Sequence, residues 1–185
     1  MAERIPCPLC GGHESDVQLS THDRLLDLPG QYDYVRCRAC GLTYVHPQPA
    51  WPERKVHYAL AYRGYHRLES EPSELQRLSM AYGLHKRCRI VAKYVHGGRL
   101  LDVGCGGGDF VGWVRAHRGW EAYGLERVAQ MARAARKRYG PRIVLGDSLQ
   151  LGFASAFFDV VTLWTVLEHV TDPAQCLREC ARVLR

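Results

Sequence analysis

No stretch of this 185-residue sequence comes near the run of about 18 apolar residues that marks a membrane-spanning helix. The opening Met1-Ala2-Glu3-Arg4-Ile5-Pro6 lacks the apolar core of a secretory signal, so a cytoplasmic location is expected. Low-complexity tracts and internal repeats are missing from residues 47–98 as well. In a chain without an export signal, the eight cysteines read as metal ligands or free thiols rather than disulfides. Basic excess is absent from the first segment: residues 1–46 carry four Arg against six acids, a net of −2. That segment is a poor grip for a phosphate backbone. The net charge is +5 over residues 47–98 and +3 over residues 99–185. The bases there concentrate at Lys86, Arg87, Arg89 and Lys93 and at Arg133, Arg136, Lys137 and Arg138, which read as solvated helix faces.

What is present begins with two C-x-x-C-G knuckles, Cys7-Pro8-Leu9-Cys10-Gly11 and Cys37-Arg38-Ala39-Cys40-Gly41. Thiolates at i and i+3 on a tight turn can share one ion, and the glycine that follows lets backbone amides point at the sulfurs. Four sulfurs make a closed tetrahedral site, expected to hold structural zinc in a small β ribbon, with rubredoxin-like iron or reduced free thiols as alternatives. His13, His22 and His46 lie nearby and read as ordinary surface histidines, since four Cys already fill the site. Cys88, Cys105, Cys176 and Cys180 read as buried thiols, and Cys176 and Cys180 share a helix face.

Residues 100–108, Leu-Leu-Asp-Val-Gly-Cys-Gly-Gly-Gly, form an apolar strand running into a turn with glycine at 104, 106 and 108. The glycines let the backbone turn sharply and approach a ligand, which suggests a nucleotide-type site. A dinucleotide fingerprint would want a small residue at position 109, where Asp109 stands, so nicotinamide binding is disfavoured.

The pattern Asp102-x-Gly104-x-Gly106-x-Gly108 resembles that of class I S-adenosylmethionine (SAM) dependent methyltransferases of the type 11/12 kind. Glu126 at the end of a second strand, Asp147-Ser148 after a third, and the segment from Trp164 to Val170 after a fourth follow that family in order. The resemblance implies that Asp102, Gly104, Cys105, Gly106, Gly108, Glu126, Asp147, Ser148 and Trp164 surround SAM. Asp102 would orient the loop and the ammonium, Glu126 would accept from both ribose hydroxyls, and Asp147 would accept from the adenine amine. Glu168 and His169 are the candidates for a catalytic base. A catalytic metal is disfavoured, because Thr165 stands where a related E-x-x-E-H arrangement has its first carboxylate.

Alternating patterns predict strands at Leu100–Val103, Ala122–Leu125, Arg142–Leu145 and Phe158–Leu163, with helices between them. The fold expected is α/β: a Rossmann-like, doubly wound parallel sheet preceded by a zinc ribbon and a helical connector. The segments are a ribbon over residues 1–46, an aromatic-rich connector over 47–98 and a SAM-binding domain over 99–185. In the connector, Pro47, Pro49 and Pro52 mark a joint, and Trp51, Tyr58, Tyr62 and Tyr65 with His57 and His66 suggest a lid or a packing surface. Ser73-x-x-Gln76 reads as a capping box opening a helix to about Val95, whose stripe Leu84, Cys88, Val91 and Val95 faces a core.

Only four of the family's seven strands are supplied, which suggests a C-terminal truncation leaving Val160, Val161, Leu163 and Trp164 on an exposed edge. The resemblance implies methyl transfer to a small molecule, such as a sugar or polysaccharide precursor. An RNA base methyltransferase is the alternative enzyme, and a non-catalytic scaffold is the alternative outside enzymes. No oligomeric state follows from the sequence.

Overall fold

The computed structural model describes residues 5–24, 29–48 and 72–185, so Pro49, Pro52 and the aromatic stretch from Trp51 to His66 lie outside the described residues. Two compact units make up the chain: Met1–Arg63 with Thr171–Ala174, and Gly64–Val170 with Gln175–Arg185.

In the first unit, β1 (Ser15–Thr21), β2 (Tyr32–Cys37) and β3 (Thr43–His46) form an antiparallel sheet in that order. One knuckle precedes β1 and the other turns β2 into β3. In each, the glycine after the second cysteine adopts a left-handed backbone (φ 72° at Gly11, 75° at Gly41) and donates its N–H to the carbonyl of the first cysteine. A side chain there would be strained, which is why the pattern ends in glycine. Among the described residues the apolar core is very small: Cys7, Val35, Cys37 and Tyr44 are buried in it, with Ile5 and Leu42 packed against them. His13 and His22 are exposed as expected, but His46 is not. It is only 6 % exposed, because the two-residue period of β3 turns Tyr44 and His46 to the inner face together.

Among the described residues the second unit opens with α1 (Glu74–Val91). Its capping box is formed: Ser73 Oγ accepts from the Gln76 N–H, and the Gln76 side chain accepts from the Ser73 N–H. The helix ends at Val91 rather than Val95, and a turn carries Val95 back onto the core. Then follow β4 (Arg99–Val103), α2 (Asp109–Arg118), β5 (Glu121–Glu126), α3 (Ala129–Tyr139), β6 (Ile143–Leu145), β7 (Val160–Leu163), a short 3-10 turn (Leu167–His169) and α4 (Pro173–Val183). The strands are all parallel, in the order β6-β5-β4-β7. Pro173 opens α4, where its missing N–H costs no helical bond. No helix among the described residues is long and apolar enough to cross a membrane.

Strand alternation sorts the core into two layers. Leu100 and Ala122 meet α1, α2 and α3 through Cys88, Val91, Phe110, Val111, Val114 and Ala135. Leu101, Val103 and Leu125 face the other way, onto Cys176, Cys180 and Val183 of α4 and the ring of Phe158. Burying each large side chain fully contributes roughly 1.5–3 kcal/mol, so helices on both faces stabilise a sheet whose strands are short. All four cysteines outside the knuckles are buried. Among the described residues β7 pairs only with β4, yet its two faces are covered: Val160 and Trp164 pack on the first layer, Val161 and Leu163 on the second.

Candidate functional site

Parallel strands β4, β5, β6 and β7 all end on one rim, where open α/β sheets bind ligands. The glycine loop leaves β4 at this rim with φ of 70° at Gly104, 55° at Gly106 and 78° at Gly108. A Cβ at Gly104 would lie 2.5 Å from Val166 Cγ2, and one at Gly108 would lie 2.9 Å from the Tyr139 ring and 3.1 Å from Ala135 Cβ. Both conformation and space therefore demand glycine. Asp109, the residue that departs from the dinucleotide pattern, starts α2 and accepts from the Tyr139 hydroxyl (2.9 Å) and from Arg138 (3.0 Å). It ties the start of α2 to the end of α3.

Glu126, at the end of β5, is buried and holds the loop. Its Oε2 accepts from the Gly106 N–H and its Oε1 from the Val128 N–H, both at 2.8 Å. Burial raises its pKa, with those amides opposing the rise. Each oxygen keeps a further lone pair for a ligand. Asp102 is 3 % exposed and accepts from Thr162 Oγ1 at 2.7 Å, a bond from β7 back to β4. Burial pushes its carboxyl up to about 7, against the opposing effects of the Thr162 hydroxyl and the Arg87 charge, while Glu126 adds to the rise. Cys105 is buried, and burial with the nearby Asp102 and Glu126 charges raises its thiol far above the usual range. Its side chain packs in the first core layer.

The raised Asp102 value has a measurable consequence. The folded chain keeps this proton up to about pH 7, whereas the unfolded chain releases it near 3.8, so the contribution to stability is full below the unfolded value and is lost as pH rises through 7. Thermal melts of the ligand-free protein are expected to soften as pH rises from about 5 to 8, and Asp102→Asn should flatten that dependence. An equal slope in the variant would mean that another group carries it.

Asp147 sits in the turn after β6 with Ser148 beside it. Its Oδ1 accepts from the Leu149 N–H at 3.0 Å, and Arg127 lies 3.4 Å from Oδ2. Trp164 follows β7, edge-on to Phe110 at 5.6 Å. Its Nε1 is buried and has no hydrogen-bond partner among the described residues. Directly after it, Thr165 has φ 54°, a strained turn for a β-branched residue. Glu168 and His169 stand exposed on the 3-10 turn beyond.

Sequence reasoning missed three neighbours of the site. Thr162 and Arg127 drew no reading there, and Arg87 reads as part of a solvated basic face. Arg87 instead lies over the Trp164 ring, 5.1 Å from its centroid, and its charge is felt at Asp102. The polar interruption at Thr162 was the single visible signal.

In the ribbon, Cys7, Cys10, Cys37 and Cys40 bring their sulfurs within 4.8 Å of one another. The Cys7–Cys40 and Cys10–Cys37 separations are 3.7 and 3.6 Å, far too long for disulfides. They match the edge of a tetrahedron with metal–sulfur bonds of about 2.3 Å, roughly 3.8 Å. The backbone N–H of Cys40 and that of Ala39 hold the Cys37 thiol down at about 7. Cys40 is favoured by the Leu42 amide, yet burial and the other thiols push it up to about 12. Four thiolates cannot share so small a space without a cation, and the donor set suits one soft divalent ion.

Residues 101–185 match a protein family described as a methyltransferase domain. The chain is similar to the demethylmenaquinone methyltransferase of Roseiflexus sp. (strain RS-1), 39% identical over 95 residues, which cover 48% of this chain and 39% of that protein. It is similar also to the ubiquinone biosynthesis O-methyltransferase of Pectobacterium atrosepticum, 33% identical over 100 residues, covering 51% and 41%. The chain thus spans about two fifths of the length of these relatives. Among solved structures, a SAM-dependent methyltransferase from Methanococcus maripaludis superposes with a TM-score of 0.52 at 19% identity, over 58% of this chain and 52% of that one. The 4+2 cyclase SpnF superposes with a TM-score of 0.58 at 21% identity, over 75% and 58%. At such identities the likeness shows the fold alone.

Proposed function

We propose that this chain is a class I SAM-dependent methyltransferase, whose residues 101–185 match a methyltransferase domain, and that it transfers a methyl group from SAM to a small-molecule acceptor. The observation that carries the reading is the buried Glu126 carboxylate bonded to the Gly106 amide, within a loop whose Gly104, Gly106 and Gly108 all take left-handed backbone. Both Glu126 oxygens keep a lone pair at the spacing of a cis-diol, which fits the ribose hydroxyls. Asp147 would take the adenine amine, with Arg127 covering it and Ser148 alongside. Asp102 would take the ammonium, and the cation would hold Asp102 ionised below pH 7. Arg87 and the unpartnered Trp164 Nε1 are donors suited to the carboxylate end.

SAM supplies an electrophilic methyl on a sulfonium, already a good leaving group. The protein's part is then to position the acceptor in line and, where the acceptor must lose a proton, to provide a base. We assign that base to Glu168 or His169, the titratable groups on the turn after β7. For the acceptor, the names of the similar proteins favour a phenolic or quinol-type ring over the sugar precursor that the domain order suggests. The four cysteines would hold one structural zinc, with no part in the methyl transfer.

Calorimetry with SAM, followed by transfer of tritiated methyl to a catechol, a demethylated quinol, sugar nucleotides and transfer RNA, tests this. The expected result is SAM binding with label on the phenolic acceptors, reduced in Glu168→Gln or His169→Ala without loss of SAM affinity. Label on RNA alone, with affinity falling steeply with salt, would replace the small-molecule reading. A chain that ignores SAM would leave a scaffold.

A further inference from the structure

Helix α1 is apolar on two opposite faces. One stripe, Leu84, Cys88 and Val91, packs on the sheet. The other runs at three- and four-residue steps through Leu75, Leu78, Tyr82, Lys86 and Arg89, and every member is exposed. Leu75 is 78 % exposed, Leu78 69 % and Tyr82 72 %. Over a length of about 21 Å the stripe changes from apolar to basic, and exposed Lys93 extends it past the helix end. The helix carries four bases against one acid, Glu74 in its first turn.

We infer that this outer face of α1 docks on a lipid surface bearing anionic headgroups, with Leu75, Leu78 and Tyr82 entering the acyl boundary and Lys86, Arg89 and Lys93 pairing with phosphates. Charge complementarity selects this partner. A second copy of the chain fits badly: antiparallel pairing would lay the bases of each helix on the leucines of the other, and parallel pairing would align base with base. RNA would meet the bases but leave Leu75 and Leu78 in water, with Tyr82 the single ring available for stacking. Contiguous exposed apolar side chains bordered by an excess of basic charge are the pattern expected of a surface-lying helix. No spanning segment is required. The inference does not depend on the reading of the SAM site, since the residues involved lie on the face turned away from the sheet.

The test is cosedimentation of the full chain with vesicles of phosphatidylcholine, alone and mixed with phosphatidylglycerol. Binding is expected to favour the anionic vesicles and to weaken with salt. The triple variant Leu75→Ser, Leu78→Ser, Tyr82→Ser should lose about tenfold or more in partitioning while keeping its melting temperature and SAM affinity, because the replaced side chains are exposed. Lys86→Glu with Arg89→Glu should abolish the preference for anionic lipid. Wild-type protein that ignores vesicles, a triple variant that binds as well as wild type, a dimer that the triple variant dissolves, or binding to transfer RNA but not to vesicles would each overturn the inference.

Discussion

Cys37→Ser, or a strong chelator on the wild type, is expected to unfold the N-terminal ribbon while the parallel-sheet unit stays folded. Among the described residues the ribbon's buried apolar set is Cys7, Val35, Cys37 and Tyr44, and two of those four are themselves metal-site cysteines. Burial on that scale contributes a few kcal/mol at roughly 1.5–3 per large side chain, well short of the backbone entropy of ordering three strands. A structural zinc contributes about 10–16 kcal/mol in comparable small sites, so binding and folding become one event. Elemental analysis should find one zinc per chain, and limited proteolysis should cut the variant within residues 1–46 but spare β4 to α4. One equivalent of iron in place of zinc would keep the ribbon and change the ion. Protein with all four thiols reduced, no metal and a protease-resistant ribbon would end the metal-site reading.

The second large effect is expected at Glu126. Glu126→Ala removes the acceptor for two backbone amides, Gly106 and Val128, as well as both places for the ribose hydroxyls. Charge-assisted hydrogen bonds contribute about 1.5–3 kcal/mol each, and water recovers part of the loss. SAM affinity should fall by about 2–4 kcal/mol, or roughly 30- to 1,000-fold in Kd. Glu126→Gln keeps one acceptor oxygen and should fall between. Melting of the ligand-free protein should move far less than affinity, because removing the carboxylate also relieves a buried charge whose pKa is already raised by burial. A calorimetric isotherm unchanged in Glu126→Ala would show that the second-strand acid is not the ribose ligand.

Local chemistry made some of this molecule readable from residue order alone. The knuckle glycines Gly11 and Gly41, the glycine loop and the Ser73–Gln76 capping box are short-range constraints, each contained within a few consecutive residues, and each formed as its pattern indicates. The alternation of four strands with helices was legible for the same reason, since hydrophobic period is a property of neighbours in the chain. Strand ends were less so: Arg142 and Phe158 fall outside β6 and β7, because pairing rather than propensity decides where a strand starts. The buried position of His46 depended on which face of β3 turned inward. Thr162 meets Asp102 across 60 residues of chain, and that contact exists only because β4 and β7 pair in a register that sets those two side chains opposite each other. Arg87 is one of several bases on a helix until packing of Cys88 and Val91 fixes the rotation of α1, aiming Arg87 at Trp164 and leaving Leu75, Leu78 and Tyr82 in water. Residue types and spacings thus determined the cradle and the metal knuckles, whereas register and helix rotation, which arise only when distant segments bury each other's apolar faces, decided what surrounds them.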